Sequence, residues 1–168
     1  MQIYVYYNID CASQEETQII QDFFTRRGMD VQMDKLHVFI ESDESKKPPY
    51  QIESEKTHIA VAIEDWAGIA PLLGRDFVVT GTVDTSDVAG EYMDFRLTYR
   101  GGAFAAAYSD WYLHCDLEEY EDYEDFCETE GDLCTEEEFD EWQGEELYLL
   151  EKEGAQALVK KVPLPYTL

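Results

Sequence analysis

Positive charge is what this chain has least of. Twelve Lys and Arg stand against 38 Asp and Glu, a formal net charge of −26 over 168 residues. A surface of that sign repels phosphate, so neither direct nucleic-acid binding nor adsorption to an anionic membrane is expected, and basic partners are favoured. No apolar run reaches the ~20 residues that a membrane span needs. The opening Met1-Gln2-Ile3-Tyr4-Val5-Tyr6-Tyr7 has neither the basic start nor the long apolar stretch of a secretory signal and reads as a strand. The expected setting is therefore cytoplasmic, where Cys11, Cys115, Cys127 and Cys134 stay reduced.

Catalytic signatures are missing as well. There is no Gly-rich phosphate loop, no Gly-x-Ser-x-Gly elbow and no His-Glu-x-x-His pair. His37 and His58 fall in strand-like runs without a matching nucleophile, and Asp84-Thr85-Ser86-Asp87 is explained as a turn. His114-Cys115 with Cys127 and Cys134 invites a zinc reading. Eleven residues separate Cys115 from Cys127 and six separate Cys127 from Cys134, so the short Cys-x2–4-Cys knuckle is absent. Glu128-Thr129-Glu130-Gly131-Asp132 lacks the ligand spacing of a calcium loop. The residues thus point to no catalytic group, no metal site and no cofactor, and to a protein that is not an enzyme.

What is present is a folding composition, with 45% hydrophobic and 14% aromatic residues, unlike the aromatic-poor acidic chains that stay disordered. At this length one domain, 1–168, is expected. Residues 2–8 read as a strand. Ser13-Gln14-Glu15-Glu16 then fits a capping box, and Ile19, Ile20, Phe23 and Phe24 give the following helix one apolar face up to Gly28. Alternation predicts strands over 35–42 and 57–64, separated by the loop Ser45-Lys46-Lys47-Pro48-Pro49. Residues 65–74 read as a short helix or irregular connector broken by Pro71. Strands over 76–84, 91–100 and 103–115 follow as a meander, with the turn Arg100-Gly101-Gly102 as its plainest hairpin signal. The chain closes with a hairpin of 146–152 and 155–162 around Glu153-Gly154, then Pro163-Leu164-Pro165-Tyr166 laid on the body. The fold class is α+β, a largely antiparallel sheet with one N-terminal helix and two short acidic amphipathic helices near the C-terminus.

Those two helices come from residues 116–146, an acidic insertion before the closing hairpin. The segment holds 17 acidic residues and no Lys or Arg. Leu117, Tyr120, Tyr123, Phe126 and Cys127 recur at helical spacing, and Thr135-Glu136-Glu137-Glu138 offers a second capping box ahead of Phe139 and Trp142. As a helix, 31 residues span roughly 46 Å at ~1.5 Å each. That is one charge per roughly 2.7 Å, between the ~1.7 Å of duplex DNA and the ~3.4 Å of one strand. Residues 116–153 carry a net −18 and the other 130 residues a net −8, so the charge is localised where a salt-adapted protein would spread it. An acidic helical face is nevertheless often only a solvated one.

In charge layout, the dense acidic face of 116–146 on a small α+β body resembles the DNA-mimic inhibitors that phages and mobile elements encode, among them anti-restriction and anti-CRISPR proteins. The resemblance implies a protein–protein inhibitor whose target is a basic nucleic-acid-binding protein, a nuclease or defence complex. Glu118, Glu119, Asp122, Asp125, Glu128, Glu136, Glu137 and Asp140 would meet its Lys and Arg. An immunity or adaptor protein for another basic partner is the alternative, with the same electrostatics. One further patch is open to two readings. A continuous strand through 103–115 puts Tyr108, Asp110 and Tyr112 on one side and Ser109, Trp111 and Leu113 on the other. Either Trp111 is core and the tyrosines merely line the surface, or Tyr108, Asp110 and Tyr112 form an aromatic-acidic contact patch beside the helices for a partner's cations.

Overall fold

The computed structural model describes residues 2–42, 50–51, 56–85, 91–152 and 154–168. It is an α+β protein built on antiparallel strands, with four α-helices. The chain falls into two compact units, residues 1–109 with 164–168, and residues 110–163.

The first unit runs β1 (Gln2–Asp10), α1 (Gln14–Arg26), β2 (Met29–Asp34), β3 (His37–Ser42), β4 (Tyr50–Gln51), α2 (Lys56–Leu73), β5 (Phe77–Thr85), β6 (Glu91–Arg100) and β7 (Ala103–Tyr108). Its strands lie in the order β6-β5-β1-β3-β2, with β7 outside β6 and β4 paired to β1, and all these pairs are antiparallel. Leaving the two-residue β4 aside, β5-β1-β3-β2 with α1 and α2 as crossovers is the split βαβ arrangement of a ferredoxin-like sandwich. Such a framework hosts many functions and by itself assigns none.

Strand alternation decides which side the helices cover. Val5, Tyr7 and Ile9 of β1 are buried with Val38 and Ile40 of β3, Val79 and Val83 of β5, and Phe95 and Leu97 of β6. Tyr7 is the hub, its ring 5.6 Å from that of Phe24 in α1 and 5.5 Å from that of Trp66 in α2. Its hydroxyl donates to Asp65 Oδ2 at 2.8 Å, and Arg27 meets the other oxygen at 2.6 Å. The carboxylate is buried with its charge compensated, as a buried ion requires. A second pair, Arg75 to Glu16 at 2.6 Å, ties the start of α1 to the chain that follows α2. The guanidinium holds the Glu16 carboxyl below its ordinary range.

Gly81, at the middle of β5, leaves no room for a side chain. A Cβ there would lie 2.3 Å from the Tyr6 carbonyl oxygen and 2.4 Å from the Phe95 ring. Backbone cannot yield as a side-chain tip does. Gly81→Ala is expected to destabilise the protein by about 1–3 kcal/mol or more, read as a lower urea midpoint.

Helix α2 replaces the strand expected over 57–64 and runs on through Pro71 to Leu73. Ile59, Val61 and Ile63 alternate as in a strand. Ile59, Ala62, Trp66, Ile69 and Ala70 also form a helical stripe, and these are the buried apolar residues among those described in α2. Packing on the sheet overrides the β-propensity of the branched residues. Pro71 falls in the last turn, which Gly74 closes through its N–H to the Ala70 carbonyl; having no N–H, it leaves the Ala67 carbonyl without its helical donor. Met29–Asp34 forms a strand with no counterpart in the expected set, pairing residue for residue with β3 across the turn Lys35-Leu36. The loop 45–49, the Ser86-Asp87 part of the expected turn and Glu153 lie outside the described residues, and His58, placed in α2 instead of a strand, has no described side chain.

The second unit holds β8 (Tyr112–Cys115), a 3-10 turn (Leu117–Glu119), α3 (Tyr123–Glu130), α4 (Glu136–Glu141), β9 (Leu147–Lys152) and β10 (Ala155–Val159). β9 pairs with β8 on one side and β10 on the other, and β10 is an edge strand. The unit is thus larger than the acidic segment at 116–146, taking in the strand before it and the hairpin after it. The two belong together through a core of their own: Cys115, Leu117, Phe126, Cys134, Phe139, Leu147 and Leu149. The chain ends in the first unit with β11 (Tyr166–Thr167), paired to β7. Among the described residues, no helix is long and apolar enough to cross a membrane.

Candidate carboxylate interface

Residues 116–146 form the 3-10 turn Leu117–Glu119 and the two short helices α3 and α4. Leu117 is fully buried although it lies in the 3-10 turn, so the apolar spacing that predicted one longer helix is kept by a bent chain. Acidic side chains start each piece. Asp116 Oδ1 accepts the Glu118 N–H at 3.0 Å, and Asp122 Oδ1 accepts the Asp125 N–H at 2.9 Å. Asp125 reaches back to the Glu121 N–H at 3.1 Å. At α4, Thr135 and Glu138 form a full capping box. A carboxylate at a helix start satisfies an orphan amide and faces the positive end of the peptide dipoles. Gly131, at φ 96°, ends α3 in a conformation that other residues rarely adopt.

Tyrosines complete the anchoring. Tyr120 donates to Glu130 Oε1 at 2.8 Å, and Tyr123 to the Cys134 carbonyl at 2.7 Å. Burial, reinforced by Glu130, pushes the Tyr120 phenol well above its ordinary pKa. The Tyr120 and Phe139 rings flank Phe126 at 5.1 and 5.6 Å. Each acidic piece is therefore held from below by aromatic packing.

Two sets stand out among the 17 acidic residues of the segment. Asp116, Asp122, Asp125, Glu130 and Glu138 hold backbone or phenol groups of their own unit. Glu118, Glu119, Glu128, Glu136, Glu137 and Asp140 are exposed and, among the described residues, make no side-chain hydrogen bond or ion pair. Asp122 and Asp125, expected as contact residues, thus have structural work as well. The six others are available to a partner.

The continuous strand that put Tyr108, Asp110 and Tyr112 on one side is not present. The strand breaks over 109–111, where Ser109 is buried and locked to Asp94 by two 2.9 Å bonds, one from its own N–H and one to its hydroxyl. The break cancels the alternation that put the two tyrosines in phase. Tyr112 is buried, 4% exposed, opposite Leu150. Tyr108 is half-buried and stacked on Tyr166 at 5.3 Å, in the other unit. Trp111 is half-buried and not a core residue.

The cysteines are free. Burial pushes Cys115 up to about 11, helped by Glu130, and raises Cys134 as well. Thiols held protonated at neutral pH are weak nucleophiles, and the aromatic core around them accounts for their presence. His37 stands in β3 with Nδ1 2.8 Å from Asp10 and Nε2 3.1 Å from Asn8, on the sheet face away from the helices. Both ring nitrogens are engaged by side chains of β1.

Beside the acidic turns lies a cavity of about 310 Å3, lined by His114, Cys115, Asp116, Glu118, Glu119, Gly144, Glu145, Glu146 and Leu147. Neither Lys nor Arg is among its lining residues, and sequence spacing could not have shown it, because 114–119 and 144–147 meet only through the pairing of β8 with β9. Compared with known protein families, curated proteins and solved structures, the chain matches none.

Proposed function

We propose that the protein is a non-enzymatic inhibitor that presents a nucleic-acid-like carboxylate surface to the basic nucleic-acid-binding site of a target protein, a cytoplasmic nuclease or defence complex. The observation that carries this reading is the division of labour among the acids. One set builds capped, aromatic-anchored elements, and Glu118, Glu119, Glu128, Glu136, Glu137 and Asp140 stand on those elements with no side-chain partner among the described residues. Caps and a core serve any folded helix; in this unit they also hold the charges in fixed positions for a rigid basic groove, which favours binding because side chains and loops ordered only on binding subtract from affinity.

The test is competition. The protein is added to a basic partner that it co-purifies with, already bound to a fluorescently labelled DNA or RNA duplex. Anisotropy should fall as the duplex is released, with the effect weakening steeply as salt rises. Simultaneous binding of protein and duplex would reject mimicry and favour an immunity or adaptor role toward another surface of the partner.

A further inference from the structure

The acidic unit already holds one cation, and it belongs to the chain itself. Lys160 Nζ lies 2.9 Å from Glu145 Oε2 and 5.1 Å from the centre of the Trp142 ring. Carboxylate and indole converge because α4 ends at Trp142. The Glu145 N–H returns to the Trp142 carbonyl at 3.2 Å, and Gly144 between them takes a φ of 78°. A cation over an indole face with a carboxylate against it is the chemistry by which proteins bind ammonium and guanidinium groups. Glu145 also lines the cavity of about 310 Å3, whose other charged lining residues are Asp116, Glu118, Glu119 and Glu146. A concave wall of one sign concentrates its field, so the attraction for a cation is greatest inside it.

We infer that the turn 142–145 and the cavity beside it form a receiving site for an arginine or lysine side chain of a basic protein partner, with Lys160 as an internal stand-in that the partner displaces. Glu145 and Lys160 are each 48% exposed in their side chains. A pair so exposed to solvent contributes little stability and gives way readily. Lys160 would then act as a weak competitor, screening the site until a better cation arrives. A guanidinium is the better cation, since its flat face stacks on the indole while its edge bridges a carboxylate. The inference rests on the reading of the acidic unit as a partner-binding face and adds a place on that face where one side chain is seated.

A deca-arginine peptide serves as the probe, titrated into the whole protein at low salt and followed both by calorimetry and by the Trp142 indole N–H signal, assigned with Trp142→Phe. Lys160→Ala should tighten binding about two- to fivefold, the range of an exposed cation–π contact. Lys161→Ala, which changes the net charge equally next door, should leave it unaltered. Glu145→Gln should weaken binding by a similar factor, and the Trp142 signal should shift on titration. Equal effects of the two lysine variants, or an unmoved Trp142 signal, would overturn the receiving site while leaving the acidic face as a diffuse attractor. Failure of the wild-type protein to bind the peptide at all would instead overturn the partner-binding reading on which it rests.

Discussion

Reversing Glu118, Glu119 and Glu128 to lysine is expected to abolish partner binding while leaving the protein folded. These three are exposed and hold no backbone group, so the change falls on the surface potential and not on the helix starts. Together they move the net charge from −26 to −20, within the segment where the field is strongest. Association steered by such a field is accelerated by about 10–10³, and much of that gain should disappear, with the remaining rate less steeply dependent on salt. Stopped-flow association at two ionic strengths measures this, with circular dichroism as the control on folding. An unchanged rate would move the interface off this face. Asp122→Lys is unsuitable for the same purpose. It removes the cap of α3, a loss of about 1 kcal/mol, and confuses a lost contact with a loosened helix.

Phe126→Ala separates order from charge in the opposite way. Phe126 is fully buried, between the rings of Tyr120 and Phe139. Its truncation should cost about 3–5 kcal/mol and alters no carboxylate. Hydrogen exchange should report lost protection across residues 110–163, while β1, β5 and β6, built on the separate core around Tyr7, keep theirs. Partner binding should fall along with protection. Full affinity in a variant with a melted second unit would mean that charge alone suffices and that the ordered display has no function.

How far the fold was legible can be traced to particular residues. Ser13 and Thr135 announced their helices because a hydroxyl followed three residues later by Glu is a local signal, needing nothing from elsewhere in the chain. Gly101 and Gly102 announced the β6–β7 hairpin in the same way, both at positive φ. The strand expected at 57–64 failed where local and tertiary preferences part. Its branched residues suit a strand, but the sheet beneath needed a covering layer, and only a helix carries Trp66 to Tyr7 and Phe24. The continuous strand over 103–115 failed for a smaller reason, a three-residue break whose only turn signal is Ser109-Asp110 inside an aromatic run. Within the acidic segment, the presence of an apolar stripe was legible. Which carboxylates cap and which stand free was not, since that depends on where each turn begins to within one residue.

Strand β10 gives the charge a second role. Ala155-Gln156-Ala157-Leu158-Val159 is an outer strand without one charged side chain or proline, the kind of border that commonly recruits another chain. Proteins ordinarily guard such a border with a lysine or a kink in the strand itself. Here the guard is collective: the unit that carries β10 bears 20 acids and three lysines, so two copies repel before their borders can meet. Solubility in this protein is thereby a property of the buffer as much as of the fold. Concentrated salt, by shortening the reach of that repulsion to a few ångströms, removes the barrier to self-stacking along β10.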